Sequence, residues 1–337
     1  MRKLATIREI KEIKPIKGAD KIEVAIVDGW KVVVKKGEYK PNDICVYCEI
    51  DSWIPHELAP FLSKGGEPKE YEGVKGNRLR TVKLRGQISQ GLILPTSVVH
   101  GWYVVGDDVT EHLNIRKYEA PIPACLAGDA KSQFPSFIRK TDEERIQNID
   151  IEELLENYGE HTFIVTEKLD GSSTTFSLNN GEFDVCSRNL SLLETESNTQ
   201  WKIARKYEIK EKMEEFQKKF PCNFAIQGEL IGEGIQKNPY MIRGQDFYVF
   251  NVFNIGDQGY FDWISVKEIS QFLGLKIVPE IDDSFRIKGK DVKDYLTAAE
   301  GKSKLNPQTE REGLVFKTSA NEISFKAISN KFLMKEK

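Results

Sequence analysis

The segment TFIVTEKLDGSSTTFSL, residues 162–178, decides how the second half of the chain folds. Two runs within it have the alternation of β-strands, and Asp170 and Gly171 separate them. We therefore predict a β-hairpin with an Asp-Gly turn. Lys168 stands at the end of the first strand, on the same face as Thr166. Because an ammonium group in a half-buried position is costly unless something uses it, Lys168 is the first candidate for a functional residue.

The sequence around this segment predicts an α+β domain of antiparallel strands with helices on the outside. Four more strands are expected at CNFAIQGELIG, DFYVFNVFNIG, REGLVFKTS and EISFKAIS. A capping box at residues 141–144 predicts a helix that runs through Tyr158. A second helix is expected from about Ser197 to Phe220, ended by Pro221, and a third at SVKEISQFLG.

The first 118 residues are rich in short strands, which is typical of a small barrel or sandwich. These strands are expected at KIEVAIVDGW, KVVVKKG, DICVYCEI, RLRTVKLRG and QGLILP, and the segment SKGGEPKEYEGVKGN is expected to be a loop. Pro, Ala and Gly interrupt all periodicity between residues 118 and 137. We therefore predict a domain at 1–118, a linker or extended strap at 119–137, and a second domain at 138–337.

The composition is that of a soluble globular protein, with 39% hydrophobic and 30% charged residues. No run approaches the roughly 18 apolar residues that span a bilayer. Charges are spread through the first 18 residues, where a signal peptide would need an apolar core. We expect an intracellular, cytoplasmic protein that does not bind membranes, with a nuclear location left open.

Five cysteines are scattered along the chain, and Cys45 and Cys48 form the one close pair. A Cys-x-x-Cys motif is compatible with a zinc site, but no second pair of Cys or His follows at ligand spacing. Buried, reduced thiols are therefore the favoured interpretation.

Positive charge is concentrated near the start of the chain. The whole sequence has a formal charge of -3, yet residues 1–40 hold 11 Lys and Arg against 6 acidic residues, and residues 64–86 hold 7 against 3. Local basic surface can attract phosphate backbones. The alternative is an ordinary solvated lysine-rich surface, which the composition alone slightly favours.

Four strands of the second half each carry one ionisable residue at or near an end: Lys168, Glu229, Glu312 and Lys326. Each could lie on a solvent face of a half-exposed strand. Glycines stand close to three of them, at positions 171, 232 and 313, and glycine permits close approach of a ligand to the backbone. Together these residues suggest a pocket with two cations for phosphates and two carboxylates for hydroxyl groups or a metal.

The order of these segments resembles that of the covalent nucleotidyltransferases, which include polynucleotide ligases and mRNA capping enzymes. EKLDG contains a Lys-x-Asp-Gly nucleophile motif at Lys168. The remaining motifs of the adenylyltransferase domain are similar to SRN (187–189), GELIG (228–232), FYVFNVF (247–253), EGLVFK (312–317) and FKAIS (325–329). A four-residue motif recurs by chance, but six motifs in order over about 160 residues are a specific signal.

The resemblance implies a role for each matching residue. Lys168 would attack the α-phosphorus of ATP and form lysyl-AMP, and Lys326 would contact the α-phosphate. A divalent metal, Mg²⁺ or Mn²⁺, would be held by Glu312, with Asp170 as a further ligand. The nucleotide would be bound by Glu167 at the adenine edge, Glu229 at the ribose, Arg188 and Asn189 near the ribose and phosphate, and Phe250 stacked on the base, with Tyr248 close by. The second lysine usual in the last motif is replaced here by Ile328, and Lys331 is a candidate substitute.

The resemblance also implies an architecture. Only eight residues follow Ser329, so we expect no C-terminal OB domain, and the first domain resembles the N-terminal OB-like domain of one group of RNA ligases. Trp30, Tyr39, Lys35 and Lys36 are candidates for nucleic-acid contact, although Trp30 is also suited to the core. The β- and γ-phosphates would then need other cations, for which we name the cluster Arg139, Lys140 and Arg145; surface charge at a helix start is the alternative.

The expected function is an ATP-dependent RNA ligase that joins 3'-OH and 5'-phosphate ends, acting on nicked or broken duplex RNA without an obligate protein partner. A DNA ligase and a GTP-using capping guanylyltransferase are the alternatives within the same chemistry. An inactive nucleic-acid-binding protein is the alternative outside it.

Overall fold

A computed structural model describes residues 3–119 and 128–335. The chain divides into two compact units, Met1–Pro121 together with Lys337, and Ile122–Glu336. Part of the predicted linker, and Cys125 with it, lies outside the described residues. No described helix has the length and apolar character needed to cross a membrane.

Unit 1 is built from antiparallel strands. Five of them form a sheet in the order β10-β4-β1-β2-β3, four form a second sheet in the order β11-β5-β7-β6, and β8 pairs with β9 alone. The strands are β1 Ala5–Pro15, β2 Ile22–Val27, β3 Trp30–Lys35, β4 Ile44–Cys48, β5 Ser52–Pro55, β6 Lys69–Tyr71, β7 Val74–Arg78, β8 Val82–Leu84, β9 Gln87–Ser89, β10 Leu92–Pro95 and β11 Arg116–Lys117. Short 3-10 turns lie at Pro60–Ser63 and Thr96–Val98.

The predicted loop at residues 63–77 is wrong in part, because β6 and β7 form a hairpin there. Its turn is Glu72-Gly73, both with positive φ, which matches the twist of a two-residue hairpin. Gly76 is the only buried residue of the two strands, so the alternation of buried and exposed apolar side chains that reveals a strand is missing.

Several aromatic and sulfur-containing residues of unit 1 lie in its core. Trp30 is 1% exposed and stacks on Tyr47, so it is a core residue and unavailable to a nucleic acid. Cys45 and Cys48 are buried free thiols on β4, and burial raises the pKa of each to about 12. The structure thus has this pair as buried, unpaired thiols, as the sequence favoured.

Unit 2 contains two sheets. The large sheet has the order β12-β17-β16-β15-β18-β19-β20, with β21 beside β19, and the small sheet has the order β13-β24-β23-β14-β22. The strands are β12 Ala130–Gln133, β13 Glu144–Arg145, β14 Thr162–Lys168, β15 Ser172–Asn179, β16 Glu182–Cys186, β17 Leu190–Leu192, β18 Phe224–Gly232, β19 Gln245–Asn254, β20 Gly259–Tyr260, β21 Lys276–Ile277, β22 Glu280–Arg286, β23 Gly313–Thr318 and β24 Ser324–Ile328.

Helices cover one face of each sheet. They are α1 Ile151–Tyr158, α2 Thr199–Lys206, α3 Ile209–Lys219, α4 Trp263–Leu273, α5 Val292–Ala299 and α6 Asn330–Lys335, with a 3-10 turn at Ile146–Asn148. α2, α3 and α4 pack on the large sheet around residues such as Phe176 and Phe247. α1 and α5 pack on the small sheet around Phe163, Phe316 and Phe325. The α+β prediction is confirmed, with strands and helices in the expected order.

The hairpin predicted at residues 162–178 is wrong, although both of its strands exist. β14 pairs with β22 and β23 of the small sheet, whereas β15 pairs with β16 and β18 of the large sheet. Residues 169–171 are therefore the place where the chain crosses from one sheet to the other. Gly171 is not in a left-handed conformation, so it does not serve as a turn glycine.

Two predicted helices also differ from the structure, whereas the third, α4, is as expected. Residues 141–144 do not begin a helix, since Glu144 and Arg145 form β13, which pairs in parallel with β24. α1 begins later, where the Asp150 side chain accepts hydrogen bonds from the N–H groups of Glu152 and Glu153. The helix expected at 197–220 is divided at Glu208, which has a φ of 52° and separates α2 from α3.

Candidate active site

Lys168 lies at the end of β14, where the two sheets of unit 2 come together. Its Nζ donates a hydrogen bond to Glu312 Oε1 at 2.7 Å, and both side chains are mostly buried. Lys168 is opposite Gly313 in β23, the residue that follows Glu312. An added Cβ on Gly313 would lie 2.2 Å from the Ala327 carbonyl oxygen, so only glycine fits there. This close packing of β23 on β24 fixes the position of Glu312.

The register of the small sheet places Lys326 on the same face as Lys168. Thr166 is opposite Val315, and Val315 is opposite Lys326. Lys168 on β14 and Lys326 on β24 are therefore separated by one strand, β23, and their register differs by two residues. Residues directly opposite each other in antiparallel strands point to the same side of the sheet. Lys326 is 8% exposed, so this second cation is buried on the face that also carries Lys168.

Glu229 contributes the second carboxylate from the large sheet. It lies on β18 opposite Ser173 of β15 and close to Lys168. Burial raises the pKa of Glu229 to about 8, against the opposing effect of Lys168, and the charges of Glu312 and Asp170 raise it further. The carboxyl group of Glu229 is therefore a weaker acid than a solvated glutamate, and its charge is coupled to that of Lys168.

The electrostatics of Lys168 favour the ammonium form. Burial lowers the pKa of its amine, but Glu312, Glu229 and Asp170 raise it by more, so the net pKa is above the usual value. A neutral amine at pH 7 costs on the order of 4 to 5 kcal/mol even at the reference pKa of about 10.4. In the absence of ligands, Lys168 is thus an ammonium paired with Glu312 rather than a nucleophile.

The crossing at residues 169–171 is held by a loop that the sequence did not single out. Tyr240 is 5% exposed, and its hydroxyl accepts a hydrogen bond of 2.6 Å from the Asp170 N–H. Gln236 Nε2 donates to the Gly171 carbonyl at 3.3 Å. The loop after β18 therefore fixes the backbone on which Lys168 and Asp170 are carried.

Gly171 allows the crossing to touch β18. A Cβ at this position would lie 2.4 Å from the Leu230 carbonyl oxygen and 2.9 Å from Cγ of Glu229. We expect Gly171→Ala to destabilise the protein by about 1–3 kcal/mol and to displace Glu229, because the neighbouring atom is backbone and cannot move aside cheaply. Thermal unfolding measures the first effect. Gly256→Ala is the matched control, because its Cβ meets nothing closer than 3.4 Å, and equal behaviour of the two variants would contradict the prediction.

The segment 139–145 runs along the site from the large sheet to the small sheet. Its contacts to the large sheet include Gln227 Nε2 donating to the Arg139 carbonyl, and Thr141 with Ser173. Its contacts to the small sheet include the Ser324 hydroxyl donating to Glu143. The segment thus connects the two sheets beside Lys326, which is opposite Arg145.

The three cations of this segment lie in different surroundings. Arg145 is 5% exposed and adjacent to Lys326, and Lys140 Nζ donates to Asn189 Oδ1 at 3.2 Å. The Arg139 guanidinium lies over the rings of Phe253 and Tyr260, at 6.0 and 5.7 Å from their centroids. Arg145 and Lys140 are therefore beside the site, whereas the Arg139 side chain is directed to the β20 end of the large sheet.

Other predicted residues are distributed around the same site. Arg188 is paired with Asp142 at 2.7 Å. Glu167 is 1% exposed, and its Oε2 accepts from the Lys304 N–H, whereas Oε1 has no hydrogen-bond partner among the described residues. Burial raises the pKa of Glu167. Lys331 lies in α6 and pairs with Glu300 at 3.5 Å.

The residues present fit a divalent metal of the Mg²⁺ or Mn²⁺ type. Such ions need only one or two protein carboxylates and complete their coordination with water and phosphate oxygens. Glu312, Asp170 and Glu229 surround one lysine, so the site has an excess of carboxylate oxygens that attracts a cation.

The sequence matches known families over both units. An OB-fold domain pattern matches residues 4–96, and the RNA ligase family pattern matches residues 161–333, which include every side chain of the Lys168 cluster. The chain belongs to the RNA ligase family. The OB-like fold expected for unit 1 and the nucleotidyltransferase domain expected for unit 2 are thereby confirmed. No curated protein matches the sequence.

Solved structures of an RNA ligase from Naegleria gruberi are similar to this RNA ligase over its whole length. The structure with PPi is 45% identical, covers 100% of this chain and 99% of its own, and superposes with a TM-score of 0.90. A mutant with ATP and Mn is 44% identical, covers 99% of each chain and has a TM-score of 0.89. A mutant with AMP and Mn is 45% identical, covers 99% of each chain and has a TM-score of 0.90.

Lys317 is a buried residue of this RNA ligase that sequence reasoning missed. It lies on β23, on the same face as Lys168, and its Nζ donates to the Phe250 carbonyl at 2.6 Å and to Asn251 Oδ1 at 2.9 Å. Phe250 is the extra residue of a bulge in β19, since Gly228 pairs with Val249 and Gln227 with Asn251. Lys317 therefore ties the bulge of the large sheet to the small sheet and fixes the backbone of the candidate base-stacking residue.

Burial lowers the pKa of Lys317 from 10.5 to about 8. The unfolded chain then binds more protons than the native protein between these two values, so native stability rises with pH across this interval. We expect the unfolding free energy of the wild type, relative to that of Lys317→Met, to increase by about 3 kcal/mol from pH 8 to pH 10.5. Urea unfolding at several pH values measures it, with Lys210→Met as the exposed control. A pH-independent difference would contradict the prediction.

Proposed function

We propose that this protein is an ATP-dependent RNA ligase that joins a 3'-OH end to a 5'-phosphate end in nicked or broken duplex RNA. The observation that carries the proposal is the pairing of Lys168 with Glu312, next to buried Glu229 and Lys326, in a chain of the RNA ligase family. The Naegleria gruberi structures with ATP and Mn, with AMP and Mn, and with PPi support the use of ATP and a divalent metal.

The first step is formation of lysyl-AMP. Lys168 Nζ, after losing a proton, attacks the α-phosphorus of ATP, a P–N bond forms, and the bond to the bridging oxygen breaks to release pyrophosphate. Lys326 offsets the negative charge that develops on the α-phosphate. When bound to Glu312 and Asp170, the metal supplies positive charge that neutralises phosphate oxygens and lowers the cost of a neutral Lys168.

The two later steps transfer AMP to RNA and then remove it. A 5'-phosphate oxygen attacks the lysyl-AMP phosphorus and the P–N bond breaks, which returns the amine of Lys168. The RNA 3'-OH then attacks the 5'-phosphorus, and AMP leaves. The protein contributes to these two steps by positioning the adenylate and the two RNA ends for attack.

The nucleotide contacts follow from the positions of the remaining residues. Glu229 contacts the ribose hydroxyls, and Arg188 and Asn189 lie near the ribose and phosphate. Glu167 is assigned to the adenine edge, because its Oε1 has no hydrogen-bond partner among the described residues. Phe250 stacks on the base. For the pyrophosphate we propose the cluster Arg139, Lys140 and Arg145, of which Arg145 and Lys140 have the more favourable positions.

Nick sealing with defined ends tests the proposal. Duplexes with a single nick are prepared with RNA or DNA on the 3'-OH side and on the 5'-phosphate side, and ATP, GTP and a divalent metal are supplied in turn. We expect sealing with ATP of duplexes that carry an RNA 3'-OH end. Sealing only of DNA ends, or label transfer from GTP alone, would refute the proposed function.

A further inference from the structure

The β8–β9 hairpin of unit 1 differs in charge and exposure from the sheets around it. We call residues 80–89 the basic hairpin. Its cations are Arg80, Lys83 and Arg85, and all three side chains are exposed. They make no ion pair or side-chain hydrogen bond among the described residues, whereas Arg78, just before the hairpin, is paired with Asp51 at 2.6 Å. The three cations are therefore available to a ligand.

No acidic residue lies near the basic hairpin in sequence. Between Gly73 and Gly106 the chain has five Lys and Arg residues and no Asp or Glu. Across the hairpin the register pairs Val82 with Ser89, Lys83 with Ile88 and Leu84 with Gln87. None of the three β9 residues is charged. The positive charge of the hairpin is thus uncompensated on both of its strands.

Hydrogen bonds attach the hairpin to the backbone of β3. Ser89 Oγ accepts a hydrogen bond from the Val33 N–H at 2.9 Å, and the Gln90 N–H donates to the Lys31 carbonyl at 2.7 Å. At the tip, Arg85 and Gly86 both have positive φ, as in a two-residue hairpin turn. Lys31 on β3 is exposed and adds a further cation at the base. The cations are consequently presented on a fixed two-stranded ribbon.

The strands of the hairpin also expose apolar side chains. Val82 is 42% exposed and Leu84 is 43% exposed, and both lie on the face opposite to Lys83. A ribbon that combines uncompensated cations with exposed aliphatic groups matches the surface of an RNA strand, in which phosphates alternate with sugars. The minor groove of duplex RNA is wide and shallow and displays riboses beside the phosphates.

We infer that the basic hairpin is an RNA-backbone binding site of this ligase, with Arg80, Lys83 and Arg85 contacting phosphates and Val82 and Leu84 contacting sugars. This inference rests on RNA being the substrate, as in the proposed function. All residues of the basic hairpin belong to unit 1, and every residue of the Lys168 cluster belongs to unit 2.

The test uses the full-length triple variant Arg80→Gln/Lys83→Gln/Arg85→Asn, where asparagine suits the positive φ at position 85. The matched control is Lys202→Gln/Lys210→Gln/Lys218→Gln, which removes three exposed lysines from α2 and α3. Binding of nicked duplex RNA and of single-stranded RNA is measured by fluorescence anisotropy between 50 and 200 mM KCl. Lysyl-AMP formation from ATP is measured without RNA.

We expect the hairpin variant to bind RNA 10- to 100-fold more weakly and to lower the slope of log affinity against log salt by about two. Lysyl-AMP formation should stay unchanged, which shows that unit 2 is folded and active, and the thermal unfolding curve of the variant should match that of the wild type, which shows that unit 1 is folded. A loss confined to duplex RNA or to single-stranded RNA supports the site and identifies the form that it binds. Unchanged RNA affinity and salt slope, or an equal loss in the control, overturns the inference.

The single variant Lys83→Glu provides a second test should the triple variant fail to fold. It reverses one exposed charge in mid-strand, and we expect weaker RNA binding and normal lysyl-AMP formation. Unchanged RNA binding by this variant overturns the inference. Failure of the wild type to form lysyl-AMP would instead refute the proposed function, so the two failures are distinguishable.

Discussion

Lys168→Ala is expected to reduce lysyl-AMP formation by at least about 1,000-fold, below detection in a gel assay with α-labelled ATP and Mg²⁺ or Mn²⁺. No other described amine is placed to replace it. Lys326 is two strands away, and Lys317 is engaged with the Phe250 carbonyl and Asn251. Covalent label on the variant at the wild-type level would show that Lys168 is not the nucleophile.

The same variant should retain the final step of the reaction. RNA that already carries AMP on its 5' end does not need lysyl-AMP, so sealing of such RNA by Lys168→Ala is expected to continue at a measurable rate. This second assay shows that the variant is folded and binds RNA. Lys210→Ala, a change of an exposed lysine on α3, is the control and should behave as the wild type in both assays.

The strands of unit 2 were predictable from sequence, but their partners were not. The alternation of residues 162–178 is a local property and gives both β14 and β15. The partners of β14 in the small sheet are β22 and β23, more than 100 residues further along the chain. The Asp-Gly sequence is a strong local hairpin signal, and it misled because Gly171 is needed for close contact with Leu230 rather than for a turn.

The candidate site was predictable where a charge interrupts an apolar strand. Lys168, Glu229, Glu312 and Lys326 stand out in this way, and the structure brings Lys168 and Glu312 within 2.7 Å. Lys317 has the same sequence character in EGLVFK, and its position on the face of Lys168 was available from the alternation. Tyr240 could not have been found, because it lies in an irregular loop whose contact with Asp170 is set by tertiary structure alone.

The protonation state of Lys168 could not be predicted from the sequence alone. A second cation such as Lys326 and a bound metal would each lower the cost of a neutral amine at Lys168. The three carboxylates around Lys168 have the opposite effect and raise its pKa. We therefore propose that Lys168 would lose its proton only once ATP and a divalent metal, held by Glu312 and Asp170, supplied compensating positive charge and contacts in the site.

Lys326→Ala is the second change for which we expect a large effect, a fall of about 100- to 1,000-fold in the rate of lysyl-AMP formation. Lys326 is buried beside Arg145 and lies on the sheet face of Lys168, so its charge acts in a water-poor site where it is strong. The rate constant is expected to fall more than the affinity for ATP, because negative charge grows on the α-phosphate as the transition state forms. Single-turnover adenylylation over a range of ATP concentrations separates the two.

Ser324→Ala is the matched control, because Ser324 lies on the same face of β24 as Lys326 and its hydroxyl contacts Glu143 instead of the site. It should change the rate by less than about tenfold. Lys326→Arg tests whether charge alone suffices: the longer, planar guanidinium cannot reproduce a compact ammonium in a buried position, so we expect partial recovery at most. A Lys326→Ala enzyme whose maximal rate is normal and whose ATP affinity alone is reduced would show that Lys326 binds the ground state and does not act on the transition state.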